Sequence, residues 1–165
     1  MKRASAALPA PSVVIFGSAI WGVVMAATAM AGVWLQNGAV VTNAFAIAAL
    51  YFYGGSLAFA PGYWLARIVL DGRGRIARFL GGTLVMAFTV HLATSAIFAL
   101  QYRVFYSHWH ADFPSLVWFF QLGFTGLGAS YIFTAGGLVF YWPLSLAAFL
   151  AFGLWFAFKG AASSH

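Results

Sequence analysis

The sequence has very little charge. Only 6% of its 165 residues are charged, and only two of these, Asp71 and Asp112, are acidic. A soluble domain carries about 25% charged residues, so this chain has too few charges to cover a surface that faces water. With 64% hydrophobic residues and a mean hydropathy of +0.92, the composition predicts an integral membrane protein.

Cysteine is absent, which excludes disulfides, thiolate zinc sites and iron–sulfur clusters. Phosphate-loop, dinucleotide-binding, zinc-protease and nucleophile-elbow motifs are also missing. The two acidic residues lie in different breaks between apolar runs, so we expect no carboxylate pair that flanks a catalytic cleft. The buried carboxylate of a proton-coupled transporter is therefore missing too. These absences predict a protein that is not an enzyme.

Basic residues dominate the few charges. Eight Lys or Arg residues give a net charge of +6 and a pI near 10.1. In a soluble protein this balance would indicate a nucleic-acid partner. Here the basic residues lie at the ends of apolar runs, where they orient membrane spans and contact anionic lipids, so we expect no nucleic acid. Arg73, Arg75 and Arg78 are the predicted lipid-headgroup residues.

The apolar runs predict an all-α fold, a polytopic transmembrane helix bundle that forms one domain over residues 1–165. Four spans are predicted, at residues 12–35, 44–70, 79–101 and 138–158. At about 1.5 Å per residue, the second run would make a helix of roughly 40 Å, longer than a bilayer core of about 30 Å. We therefore expect this helix to bend near Pro61.

Residues 116–158 form a run of 43 residues without a charge, about twice the roughly 20 needed for one crossing. Two interpretations remain open for residues 116–135: a re-entrant or interfacial segment, or a fifth span. With a cytoplasmic N-terminus, four spans divide the basic residues seven to one in favour of the cytoplasm, and five spans divide them six to two. The positive-inside rule therefore favours four spans with both termini cytoplasmic. The abundance of Ala and Gly suits a bacterial inner membrane.

His91 is the ionisable residue in the middle of a predicted span. Such a group needs a partner in hydrocarbon, and an interhelical hydrogen bond would supply one. The alternative is that His91, with Thr94 and Ser95, lines a polar path. Haem held by this chain alone is disfavoured, because no other predicted span carries a second histidine as an axial ligand.

His108, His110 and Asp112 alternate along a polar, aromatic stretch. In an extended strand these side chains would share one face and could converge on zinc or copper. Three common ligand types within five positions also arise readily by chance, and the alternative is an interfacial loop whose histidines face water. The sequence therefore predicts no cofactor, with a metal at these three residues as the weaker hypothesis.

Small residues at helical spacing predict close helix packing. Ser18, Gly22 and Ala26 lie four apart on the first run, a spacing typical of helix contacts in membranes. We expect a non-catalytic accessory or structural subunit of a larger inner-membrane complex, acting through helix packing and contact with membrane lipids and other subunits. The alternative is a small transporter, channel or permease component in which His91 lines a polar path.

Overall fold

The computed structural model describes residues 7–37 and 42–159, which form a helical bundle. The α-helices are α1 (Pro11–Asn37), α2 (Ala44–Leu70), α3 (Arg75–Tyr106), α4 (Leu116–Ile132) and α5 (Leu144–Lys159). A 3₁₀ turn (Ser107–Trp109) follows α3, and a π turn (Phe133–Gly137) and a second 3₁₀ turn (Leu138–Tyr141) separate α4 from α5. The all-α fold predicted from composition is confirmed.

Within the described residues, four helical segments are long and apolar enough to cross a membrane, which gives a multi-pass architecture. They are Pro11–Gln36, Ala44–Leu70, Arg75–Trp109 and Leu116–Tyr141. Helix α2 continues to Leu70 with Pro61 inside it. The predicted helix over residues 138–158 begins instead at Leu144, just after Pro143, and its 16 residues make it about 24 Å long.

Helices α1, α2, α3 and α5 form the packed bundle. Helix α2 packs against both α1 and α3, and α5 packs against α3 and α1. Glycines bring these helices together: Gly54 of α2 lies against Thr94 of α3, and Gly153 of α5 lies against Thr83 of α3. A Cβ atom at either glycine would overlap its neighbour, so these contacts require the missing side chain.

Helix α4 lies on the outside of this bundle, against α3. The Ser115 side chain caps its N-terminus by accepting a hydrogen bond from the Trp118 backbone N–H at 3.1 Å. Ala129 is its only buried residue. Large apolar side chains cover its exposed surface: Leu116, Val117, Phe119, Phe120, Phe124, Leu127, Tyr131 and Ile132.

The two ends of the bundle differ in chemistry. The basic end carries Arg67, Arg73, Arg75, Arg78 and Lys159, and the aromatic end carries Tyr102, Tyr106, Trp109 and Trp118. Lys159, at the end of α5, lies over the Tyr63 ring of α2 at 5.5 Å, and Arg78 donates to the Phe156 carbonyl of α5 at 2.9 Å. Arg103 lies 4.5 Å from the Trp118 ring at the other end.

Residues 116–159 therefore make one net traverse, from the aromatic end to the basic end. The five-span alternative would have placed Lys159 at the end opposite to Arg78, whereas the structure places both at the same end. The irregular Phe133–Tyr141 stretch interrupts this traverse where glycines 136 and 137 weaken the helix. Whether residues 116–135 lie in the interface or re-enter the membrane stays a prediction.

Side chains from two other helices satisfy the backbone of this interruption. The Gln36 amide of α1 donates to the Val139 carbonyl at 2.9 Å, and the Tyr51 hydroxyl of α2 donates to the Gly137 carbonyl at 2.6 Å. Irregular backbone at membrane depth is stable only where protein or water satisfies its polar groups. These two donors thus allow the chain to leave the helical conformation beside α1 and α2.

Candidate functional site

A buried polar network lies where α2, α3 and the interruption meet. The Thr94 hydroxyl donates to the Val90 carbonyl at 2.7 Å and accepts from the Tyr141 hydroxyl at 2.9 Å. The Tyr141 and Tyr51 rings are 4.9 Å apart and nearly perpendicular, and the Tyr51 hydroxyl donates to the Gly137 carbonyl. We name Tyr51, Thr94, Gly137 and Tyr141 the tyrosine network.

The tyrosine network has a structural role. Each tyrosine hydroxyl donates to an acceptor, and Thr94 both donates and accepts. All three hydroxyl protons of the network are therefore engaged in hydrogen bonds. Thr94 is fully buried and Tyr51 is 1% exposed. An interhelical hydrogen bond in a membrane contributes about 0.6 kcal/mol on average and up to about 1.7. The network therefore fixes the interruption against α2 and α3.

His91 lies beside this network and contacts the chain just after α4. Its Nε2 atom is 3.2 Å from the Thr134 hydroxyl, and its ring centroid is 5.5 Å from that of Phe133. Because the Thr134 hydroxyl already donates to the Ser130 carbonyl at 2.8 Å, the His91 Nε2–H must be the donor between the two side chains. Nδ1 is then an acceptor, and it is buried without a partner among the described residues.

The prediction placed His91, Thr94 and Ser95 along one polar path. In the structure, His91 and Thr94 contact different neighbours. His91 makes an interhelical hydrogen bond to Thr134, outside the packed bundle, whereas Thr94 points to Tyr141 inside it. Ser95 is buried, at 6% exposure. These contacts match the packing interpretation of His91, and transport along the three residues stays a prediction.

Sequence reasoning did not single out Tyr51, Gly137 and Tyr141. One signal was available: a tyrosine within an apolar run needs a partner for its hydroxyl once it is buried. Tyr51 and Tyr141 both lie in such runs. Their shared partners could not be read from spacing, because the Tyr51 acceptor is 86 residues away along the chain.

The predicted metal ligands, His108, His110 and Asp112, are not brought together. Among the described residues, no group of three His, Cys, Asp or Glu side chains is placed to hold a metal ion. The prediction required an extended strand, but Ser107–Trp109 forms a 3₁₀ turn. The His108 ring packs against Trp109 at 4.0 Å, and His110 Nε2 lies 3.4 Å from the Thr125 hydroxyl of α4.

The three arginines predicted to contact lipid headgroups differ in position. Arg73 and Arg75 are exposed at the basic end, where the prediction of headgroup contact remains open. Arg78 is half-buried and turns toward α5, with its guanidinium carbon 4.7 Å from the Phe156 ring centroid.

No protein-family model, curated protein or solved structure matches this chain.

Proposed function

We propose that this protein is a non-catalytic accessory subunit of a larger membrane complex and that α4 docks onto a helix of another subunit. The observation that supports this proposal is a difference between glycines. In the packed bundle, a Cβ atom on Gly54 or Gly153 would overlap a neighbouring helix. On α4, a Cβ atom on Gly123, Gly126 or Gly128 would meet no atom within 4 Å among the described residues.

Open glycines are unfavourable in an isolated membrane helix. Each costs about 1 kcal/mol in helix propensity relative to alanine, so three in the 17 residues of α4 weaken the helix. Lipid tails are as apolar as leucine, so helices in a bilayer associate through close packing at small residues. Gly126 and Ser130 have the four-residue spacing typical of such contacts, and exposed Leu127 lies beside them.

The proposed location is the bacterial inner membrane, with the basic end in the cytoplasm. Arg67, Arg73, Arg75, Arg78 and Lys159 lie at this end, and Arg103 lies at the other. The positive-inside rule assigns the end with more Lys and Arg to the cytoplasm. Lys2 and Arg3, which support the same orientation in the sequence, lie outside the described residues.

Co-purification from native membranes in mild detergent tests the docking proposal. We expect the wild-type chain to purify with a second membrane protein and Gly126→Leu to lose it, because the new side chain blocks close approach. Ala27→Leu is the matched control, since Ala27 is exposed on α1 and this substitution also adds a large apolar side chain. A wild-type chain that purifies alone, or a Gly126→Leu variant that keeps its partner, would contradict the proposal.

A second candidate function is a small transporter or channel component. The supporting observation is the buried Nδ1 atom of His91, which has no partner among the described residues and could accept a proton or a polar solute. Solute or ion flux in proteoliposomes separates the two candidates. If His91→Ala abolishes a flux that the wild-type chain supports, the transport function is favoured; the accessory-subunit proposal expects no such flux.

A further inference from the structure

A cavity of about 330 Å³ lies at the basic end, where four parts of the chain meet. The stretch before α1, the C-termini of α2 and α5, and the N-terminus of α3 surround it. Its volume is at the lower end of the range of about 300–1,000 Å³ for ligand pockets. Three cations, Arg67, Arg78 and Lys159, and one carboxylate, Asp71, line it, which leaves a formal charge of 3 − 1 = +2.

An aromatic ring holds two of these cations on the cavity wall. The Tyr63 ring centroid is 6.0 Å from the Arg67 guanidinium carbon and 5.5 Å from Lys159 Nζ. Tyr63 is itself fixed, because it is 6% exposed and stacks on Phe59 with ring planes 8° apart. Both cations line the same cavity, so an anion there would be attracted to each of them.

Arg78 is the third cation of the cavity and is held against α5. One of its terminal nitrogens donates to the Phe156 carbonyl, but its Nε–H is buried and has no acceptor among the described residues. A buried donor without an acceptor is unfavourable by about 1–3 kcal/mol, more for a charged group. Arg78 lines the cavity, so an anion there would pair with its charge.

We propose that this cavity binds a phosphate group, with Arg67, Arg78 and Lys159 as its cationic contacts. Guanidinium groups pair with phosphate through charge-assisted hydrogen bonds. Apolar side chains of Val13 and Phe156 also line the cavity, and basic pockets between transmembrane helices accept anionic lipid headgroups. A lipid headgroup and free phosphate share this chemistry. The site is at the end opposite to the start of α4, so it does not depend on the docking proposal.

Native mass spectrometry of the purified full-length chain, with phosphatidylglycerol and inorganic phosphate as separate probes, tests this site. The double variant Arg78→Gln/Lys159→Gln should bind phosphatidylglycerol about 30-fold more weakly than wild type, given about 1 kcal/mol for each cation near an anionic group. Lys159→Gln alone should weaken binding about fivefold. Because Lys159 is exposed at the last position of α5, this single variant should keep the fold.

Arg73→Gln/Arg103→Gln is the matched control, since it removes the same charge and neither residue lines the cavity. Its affinity should stay within about twofold of wild type. Lipid binding that inorganic phosphate does not displace would support a lipid headgroup as the ligand, and displacement with binding of phosphate alone would support free phosphate. Equal weakening in the control and cavity variants, wild-type affinity of Lys159→Gln, or binding of neither probe would overturn the proposal.

Discussion

Glycine has opposite surroundings in two regions of this molecule. In the bundle, Gly54 and Gly153 let helices approach until their backbones nearly touch a neighbouring side chain. On α4, Gly123, Gly126 and Gly128 adjoin open space among the described residues. The sequence contains both sets in apolar runs of similar composition. A small residue in a membrane helix therefore indicates where a contact is possible, and only the packing tells whether the chain itself makes that contact.

The largest expected effect is on the bundle side of this comparison. Gly54→Ala should lower the free energy of unfolding by about 2 kcal/mol, because its Cβ would overlap the side chain and Cα of Thr94. Gly126→Ala should raise it by about 0.5–1 kcal/mol, because alanine favours the helix and meets open space. Unfolding in detergent, followed by circular dichroism, measures both. Equal destabilisation by the two substitutions would remove the distinction between the regions.

A smaller effect is expected where the interruption is tied to the bundle. Tyr51→Phe removes the donor to the Gly137 carbonyl and leaves that carbonyl buried without its partner, so it should destabilise the fold by about 1–1.5 kcal/mol. Tyr53→Phe is the control, because Tyr53 lies on the same helix and is 57% exposed. If both variants unfold at the same detergent or temperature midpoint, the tyrosine network does not fix the interruption.

The smallest effect is expected where the chain after α4 meets α3. Thr134 is exposed and its hydrogen bond to His91 is 3.2 Å long, so Thr134→Val should cost only about 0.6 kcal/mol. A double-mutant cycle with His91→Ala isolates the pair, and we expect a coupling energy of similar size. A coupling energy near zero would mean that the two side chains do not stabilise each other, and α4 would then be even more loosely attached.

The helices of the bundle could be predicted from the sequence because the length of an apolar run determines where a membrane helix begins and ends. Residues 12–35 and 44–70 correspond closely to α1 and α2, since in lipid a long apolar run has little alternative to a helix. The span over 138–158 was placed less well. Its start depends on the interruption before Leu144, and that interruption is stable only because Gln36 and Tyr51 satisfy its carbonyls from far along the chain.

The candidate sites were predicted in part, for a similar reason. His91 was identified because an ionisable residue in an apolar run needs a partner, but its partner Thr134 is 43 residues away. The metal site at His108, His110 and Asp112 required a local conformation that the 3₁₀ turn does not provide. The basic cavity was missed because Arg67, Arg78 and Lys159 come from three different helices. Contacts between distant segments, rather than local spacing, determine which residues come together at these sites.

The interruption between α4 and α5 has a consequence for the order of assembly during synthesis. Its acceptors, the Gly137 and Val139 carbonyls, are translated 86 and 103 residues after their donors, Tyr51 and Gln36. The hydrocarbon core of a bilayer offers no hydrogen-bond donor, so leaving these carbonyls there without a partner is unfavourable. We therefore expect the last traverse to enter the membrane beside α1 and α2, after these two helices are in place.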